Sequence, residues 1–211
     1  MNVIIESMSF FISGAVFGLV AGISPGPLLT LVISETLKHN KKEGFKIACV
    51  PLLTDFPVIF VSLVFLIKIY ASKLILGIIS LAGAFFLFYL AYEVFKVKGL
   101  SLELPKIKSK SLRKGVITNI LNPHPYLFWM TIGTPIIIKA LNINILSACM
   151  FISGFYLLLI GSKIVIVILI SRSKIFLNST LYIHILRFLG LILFFFAIIF
   201  IREALIFFDI V

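Results

Sequence analysis

Six runs of apolar residues, separated by short polar stretches, organise the chain. Residues 10–34 carry no charge over 25 positions, 47–67 carry only Asp55, and 74–92 carry none. Residues 115–138 are uncharged apart from His124, 140–170 contain only Lys163, and 181–201 contain Arg187 near one end. A helix rising about 1.5 Å per residue needs roughly 20 apolar residues to cross a bilayer, so each run predicts one membrane-spanning helix. Segments of about ten residues with alternating polarity, which would signal a transmembrane β-barrel, are absent from the sequence.

The longest polar stretch, 96–114, lies between the third and fourth runs. It carries Lys96, Lys98, Lys106, Lys108, Lys110, Arg113 and Lys114, and Gly99 and Pro105 break helix within it. The pattern predicts one transmembrane domain over 1–211, built from a three-helix repeat at 9–95, a basic linker at 96–111 and a second three-helix repeat at 112–208. An odd number of spans per repeat inverts the second unit, a recurring transporter architecture. Each half opens with a proline interruption: Ser24-Pro25-Gly26-Pro27 in the first run and Asn122-Pro123-His124-Pro125 in the fourth. Proline lacks an amide donor and clashes with the preceding turn, so the first and fourth helices should break there. The fold class is therefore all-α integral membrane, six transmembrane helices in a 3+3 inverted repeat.

Composition agrees: 61% of the 211 residues are hydrophobic and only 13% are charged, well outside the range of soluble domains. The net charge of +11 would suggest nucleic acid in a soluble protein, but here the basic residues fall between apolar runs. Thirteen Lys and Arg lie in the loops after runs one, three and five, and four lie on the other side. The positive-inside rule then puts the thirteen in the cytoplasm and both termini outside, with the bilayer rather than nucleic acid as the charged partner. The first nine residues hold Glu6 and no Lys or Arg, so the basic start of a secretion signal is missing there.

The candidate site residues follow from what hydrocarbon penalises. Broken helices at matching positions of two repeats mark a transport site, because freed carbonyls at that depth need protein or a watery cavity. The half-helices restarting at Pro25 and Pro123 would offer amide N–H groups to a carboxylate. Asp55, in Thr54-Asp55, is a carboxylate near mid-membrane and needs a partner, a cavity or a proton. Lys163 is the other deep charge. Helix rise places Asp55 about 12 Å, and Lys163 about 10 Å, from the same membrane face, so the sequence predicts that they pair. His124 sits between two prolines and could touch a cargo. The candidate set is Ser24, Pro25, Gly26, Pro27, Thr54, Asp55, Asn122, Pro123, His124, Pro125 and Lys163. Trp129, Tyr126 and Phe128 read as packing, and Gly14, Gly18 and Gly22, four residues apart, as a close helix contact. No metal-ligand cluster, cofactor motif, hydrolase motif or ATP-binding motif is legible. Cys49 and Cys149 form no CxxC, which leaves a thiol redox carrier as the weaker alternative.

The segment Gly22-Ile23-Ser24-Pro25-Gly26-Pro27 after a glycine-striped first helix, followed by Lys41-Lys42-Glu43-Gly44, resembles the LysE/RhtB translocators. Asn122-Pro123 is similar to the asparagine-proline motif of their fourth helix, although His124 stands where the family usually carries lysine. The resemblance spans about residues 10–201. It implies a six-helix exporter of amino acids or similar small zwitterions, driven by the proton motive force, homodimeric, in the inner membrane of a prokaryote. The wider superfamily adds heavy-metal exporters as an alternative. The residues alone reach a small-molecule transporter and no further; amino-acid cargo comes from the resemblance.

Overall fold

A computed structural model describes residues 2–24, 26–69, 73–96, 111–172 and 180–210. Within them every regular element is helical: α1 (Asn2–Ile23), α2 (Pro27–Lys38), α3 (Lys41–Ala48), α4 (Val50–Ile69), α5 (Lys73–Lys96), α6 (Ser111–Ile120), α7 (Pro123–Phe128), a π-helical turn (Trp129–Gly133), α8 (Thr134–Leu141), α9 (Ile145–Arg172) and α10 (Thr180–Phe207). Five stretches of these residues are long and apolar enough to cross a membrane: Ile4–Ile23, Lys41–Leu66, Lys73–Tyr92, Ile145–Ser171 and Gly190–Phe207. The fourth expected span is interrupted at the Asn122–Pro125 segment, as its prolines predict. It is the succession α6, α7, π-turn and α8, because Pro123, Pro125 and Pro135 each withhold an amide from the ladder. The first span differs from expectation at its start. Helix α1 begins at Asn2, eight residues before the uncharged run, and Glu6 rides on its exposed face.

The helices pack in three ways. Helices α1 and α9 run parallel, with Ser7 and Ser147 hydroxyls 2.9 Å apart near their starts and Gly18 against Phe155 farther on. A Cβ added to Gly14 or Gly18 would overlap the carbonyls of Phe151 or Phe155, so the glycine stripe permits a backbone-to-backbone approach of α1 and α9. Helices α4 and α6 also run parallel, Val50 lying near Gly115 and Thr54 near Asn119. Helices α5 and α10 are antiparallel, joined at one end by Lys73 and Asp209 and farther on by Gly83 against Phe200. The core between these pairs holds Leu29, Ile33, Leu87, Trp129, Ile132, Phe151 and Leu193, all nearly free of exposure. Large apolar side chains such as Phe56, Phe60, Phe85 and Phe195 point outward. That pattern suits helices whose outer solvent is lipid.

At the end where α2, α3 and α6 meet, Glu35 is buried and accepts hydrogen bonds from Ser111 Oγ (2.6 Å) and Lys114 Nζ (2.8 Å), with His39 Nε2 3.5 Å away. This end also carries Lys41, Lys42 and Lys46 and is called the basic end below. Two sequence expectations change here. Ser111, assigned to the linker, is the first residue of α6, and Lys114 is tied to a buried carboxylate rather than being a free loop charge. The remaining linker residues, 97–110, lie outside the described residues. Across the loop from α2, Asn40 starts α3 by accepting from the amides of Lys42 (2.9 Å) and Glu43 (3.2 Å), the ordinary function of an N-cap asparagine.

Candidate functional site

The two proline interruptions determine the site through the carbonyls they release. Helix α1 stops at Ile23, with Ser24 N still donating to Val20 O (2.9 Å). The next amide in the ladder would come from residue 25, which is proline and has none, so the carbonyl of Ala21 loses its helical partner. Lys163 fills that vacancy: its Nζ, on α9, donates to Ala21 O at 3.2 Å. Gly26 is extended and Pro27 occupies the first position of α2, where its fixed φ suits a restarting helix. Pro27 is exposed; Pro25 lies outside the described residues.

The second interruption is handled from within its own helix. Asn122 caps α7, its Oδ1 accepting from the amide of His124 at 3.1 Å, and Asn122 N closes on Asn119 O at 3.2 Å. Because the His124 amide is turned to the cap, the carbonyl of Ile120 is left over, and the Tyr126 hydroxyl donates to it at 2.9 Å. Pro123 starts α7 and Pro125 follows within it. The His124 ring stands edge-on to Phe86 (6.0 Å) and Tyr89 (5.9 Å) of α5.

Both interruptions open on one internal cavity of about 120 Å³. Ser24 and Gly26 line it from the first, Asn122, His124 and Pro125 from the second, and Asp55 and Lys163 from α4 and α9. Phe86, Phe128, Phe155, Leu159 and Leu193 form apolar walls. The volume exceeds the roughly 10–15 Å³ that one water centre needs, so the cavity can hold several waters or a small solute. Of the other candidate residues, Thr54 is buried behind Asp55 and donates to Val50 O at 3.1 Å.

Asp55 and Lys163 share the cavity without touching. No ion pair within 4.0 Å joins them, contrary to the expectation from their depths. Asn119 Nδ2, on α6, donates to Thr54 Oγ1 at 2.6 Å and to Asp55 Oδ1 at 3.2 Å, while Lys163 is drawn to the carbonyl that Pro25 orphaned. Depth matching was sufficient to place the two charges in one chamber, but it carries no information on which way a side chain turns. The indole N–H of Trp129 and the hydroxyl of Tyr156 also approach the Asp55 carboxylate. The indole N–H is fully buried and faces the Asp55 carboxylate without closing an ideal hydrogen bond. A buried donor left incompletely satisfied costs about 1–3 kcal/mol, so its retention calls for a reason. It sits on the π-helical turn, a distortion common at functional sites.

A family model described as LysE type translocator matches residues 19–204, which contain both interruptions, Asp55 and Lys163. The chain belongs to that family. No curated protein and no solved structure matches it. The family is one of transporters, and membership makes this chain a multi-pass membrane exporter.

Sequence reasoning overlooked two residues of the translocator's cavity region, Asn119 and Tyr156, and read a third, Trp129, as packing. Asn119 lies three positions before Asn122, within one turn of the expected break, and that signal was available. Trp129 and Tyr156 resemble ordinary packing in sequence; their approach to Asp55 depends on the π-turn and on α9. The alternatives draw little from the geometry. Among the described residues no three His, Cys, Asp or Glu side chains converge. Cys49 and Cys149 are free and exposed, one following α3 at the basic end and the other beside the Ser7 end of α1.

Proposed function

We propose that this translocator is a secondary exporter of amino acids or closely similar zwitterions, coupled to protons. One observation carries the reading: a carboxylate and an ammonium face one internal cavity at two helix interruptions with no ion pair between them. Charges buried this deeply cost several kcal/mol unless something bridges them. A zwitterion supplies both counter-charges at once. Its carboxylate goes to Lys163 and the open first turn of α2, and its ammonium to Asp55, already oriented by Asn119. The aromatic and leucine walls take the side chain. When the cargo leaves, Asp55 loses its cation and becomes the group that picks up the coupled proton.

The reading extends to the architecture. Exchanging the halves, so that α1 and α2 map on α6–α8, α4 on α9 and α5 on α10, turns the parallel α1–α9 contact into the parallel α6–α4 contact. It leaves the antiparallel α5–α10 contact as it is, the behaviour of a 3+3 inverted repeat about an axis in the membrane plane. In this reading the basic end faces the cytoplasm and both termini lie outside, which the charge asymmetry supports; the family resemblance adds a prokaryotic inner membrane and a homodimer to the proposal.

The test is efflux from sealed vesicles loaded with labelled amino acids, with and without an imposed pH gradient. At least one amino acid should leave faster with the gradient, and Asp55→Asn, which keeps the shape but cannot titrate, should abolish the acceleration while folded protein remains. Gradient-independent efflux that is unchanged by Asp55→Asn would remove the coupling role. No amino acid leaving above empty vesicles would remove the cargo class.

A further inference from the structure

A second cavity, of about 510 Å³, opens at the end of the bundle opposite the basic end. Its wall carries Glu6, Ser9, Ser13, Ser80 and the ion-paired Lys139 and Glu203. These charged and hydroxyl side chains, only Ser80 of them buried, give the mouth of the cavity a polar rim that suits water rather than lipid. Among the described residues one side chain lines both this vestibule and the central cavity: Phe17 of α1. It is nearly fully buried. On the central side its ring meets Phe128 edge-on at 5.8 Å; on the vestibule side it meets Phe196 of α10 at 4.7 Å.

We propose that Phe17 is the barrier between the central cavity and the vestibule, and that the vestibule is the second half of the transport path. The packing of α1 favours this position. The glycine stripe presses α1 on α9, so on that flank the backbone cannot move without separating a contact in which glycines meet carbonyls directly. Helix α10, by contrast, touches α1 only over a short stretch. The weak seam is therefore the Phe17–Phe196 contact. Parting it, or turning the Phe17 ring, joins the two chambers, while Phe128 stays stacked on Phe155 at 5.0 Å. Only apolar contacts need to break. A ring is large enough to exclude water and small enough to move without unpairing a charge.

The inference rests on the transport reading, but its test needs no cargo. Single cysteines are placed in the Cys49→Ala, Cys149→Ala protein, reconstituted in sealed vesicles, and an impermeant methanethiosulfonate reagent is applied to one side at a time. Ser13→Cys reports the vestibule and identifies its side. From that side Ser24→Cys, which reports the central cavity, should react slowly with Phe17 in place. With Phe17→Ala it should react about tenfold faster, the rate expected when a side chain's worth of aromatic contact is lost from the barrier. Phe196→Ala should act in the same direction, and Phe17→Leu should fall between. Oxidative cross-linking of Ser7→Cys with Ser147→Cys, whose native hydroxyls are 2.9 Å apart, verifies that each variant keeps the α1–α9 packing. Where Phe17→Ala fails that control, Phe196→Ala and Phe17→Leu decide. Equal labelling of Ser24→Cys in all cross-linking-competent proteins overturns the barrier, as does a Ser13→Cys that no reagent reaches from either side. If labelling behaves as expected while no amino acid is exported, the barrier stands and only the cargo assignment falls.

Discussion

Glu35 and Lys114 allow burial to be separated from ion-pair geometry. Their 2.8 Å contact has a twin of equal length in Lys73–Asp209. The partners differ in exposure: 2% and 25% for Glu35 and Lys114, against 70% and 68% for Asp209 and Lys73. An exposed pair is worth about 0.2–1 kcal/mol. Hydrogen bonds to a buried charge are worth about 1.5–3 kcal/mol each, and Glu35 also accepts one from Ser111 at 2.6 Å. Glu35→Ala should therefore destabilise the translocator by about 3–5 kcal/mol, and the Glu35/Lys114 double-mutant cycle should return a coupling of about 1–3 kcal/mol. The Lys73/Asp209 cycle should return less than about 1 kcal/mol. Reversible unfolding of the purified protein in mixed micelles, followed for all six variants and the parent, measures both cycles. Equal couplings would refute the claim that the Glu35 network clamps α2 to α6, and with it the view that this cluster braces the basic end.

Two further outcomes test the packing and the site. Gly18→Leu should lower the yield of monodisperse protein sharply, at a cost of 3 kcal/mol or about that, because its side chain collides with the Phe155 carbonyl; Gly161→Leu, whose added Cβ meets nothing within 4 Å, should not. Equal yields would mean that α1 and α9 are not pressed together as described. Trp129→Phe removes the buried indole N–H that faces Asp55 while keeping an aromatic ring against Phe155, so unfolding stability should change by no more than about 1 kcal/mol while efflux falls. Unaltered efflux would deny the indole a part in transport.

The elements were legible where one local rule dominates. Both interruptions follow from the missing amide of proline, and five apolar stretches follow from length and hydropathy. The shortfalls share a cause as well. The start of α1 was placed too late because the span was taken as the uncharged run, which excludes Glu6, whereas an acid on the exposed face of a helix end costs little. The break in the fourth span at Pro123 was expected, but the π-turn and the restart at Thr134 were not, because hydropathy sums over residues and is blind to their hydrogen bonds. Its three prolines divide the same apolar stretch into α6, α7, the π-turn and α8. Glu35 went unremarked since its partners, Ser111 and Lys114, are 76 and 79 positions away. Nothing local announces a contact at that separation.

Lys163 shows how far the sequence could have been pushed. A proline at position 25 orphans the carbonyl at 21, and an orphaned carbonyl in hydrocarbon must find a donor. Lys163 was the one deep cation in a span, so the sequence already held both the vacancy and the group to fill it. Assigning Lys163 to Asp55 instead let charge outweigh hydrogen bonding. The outcome matters for the proposed chemistry. A direct ion pair in a low-dielectric chamber would be a completed bond that every cargo had to break, and its strength would rise with the burial that transport requires. Holding the ammonium on a backbone carbonyl and the carboxylate on Asn119 keeps both charges positioned yet incompletely neutralised. A zwitterion then meets two groups that gain by binding it, and none that must first let go of the other.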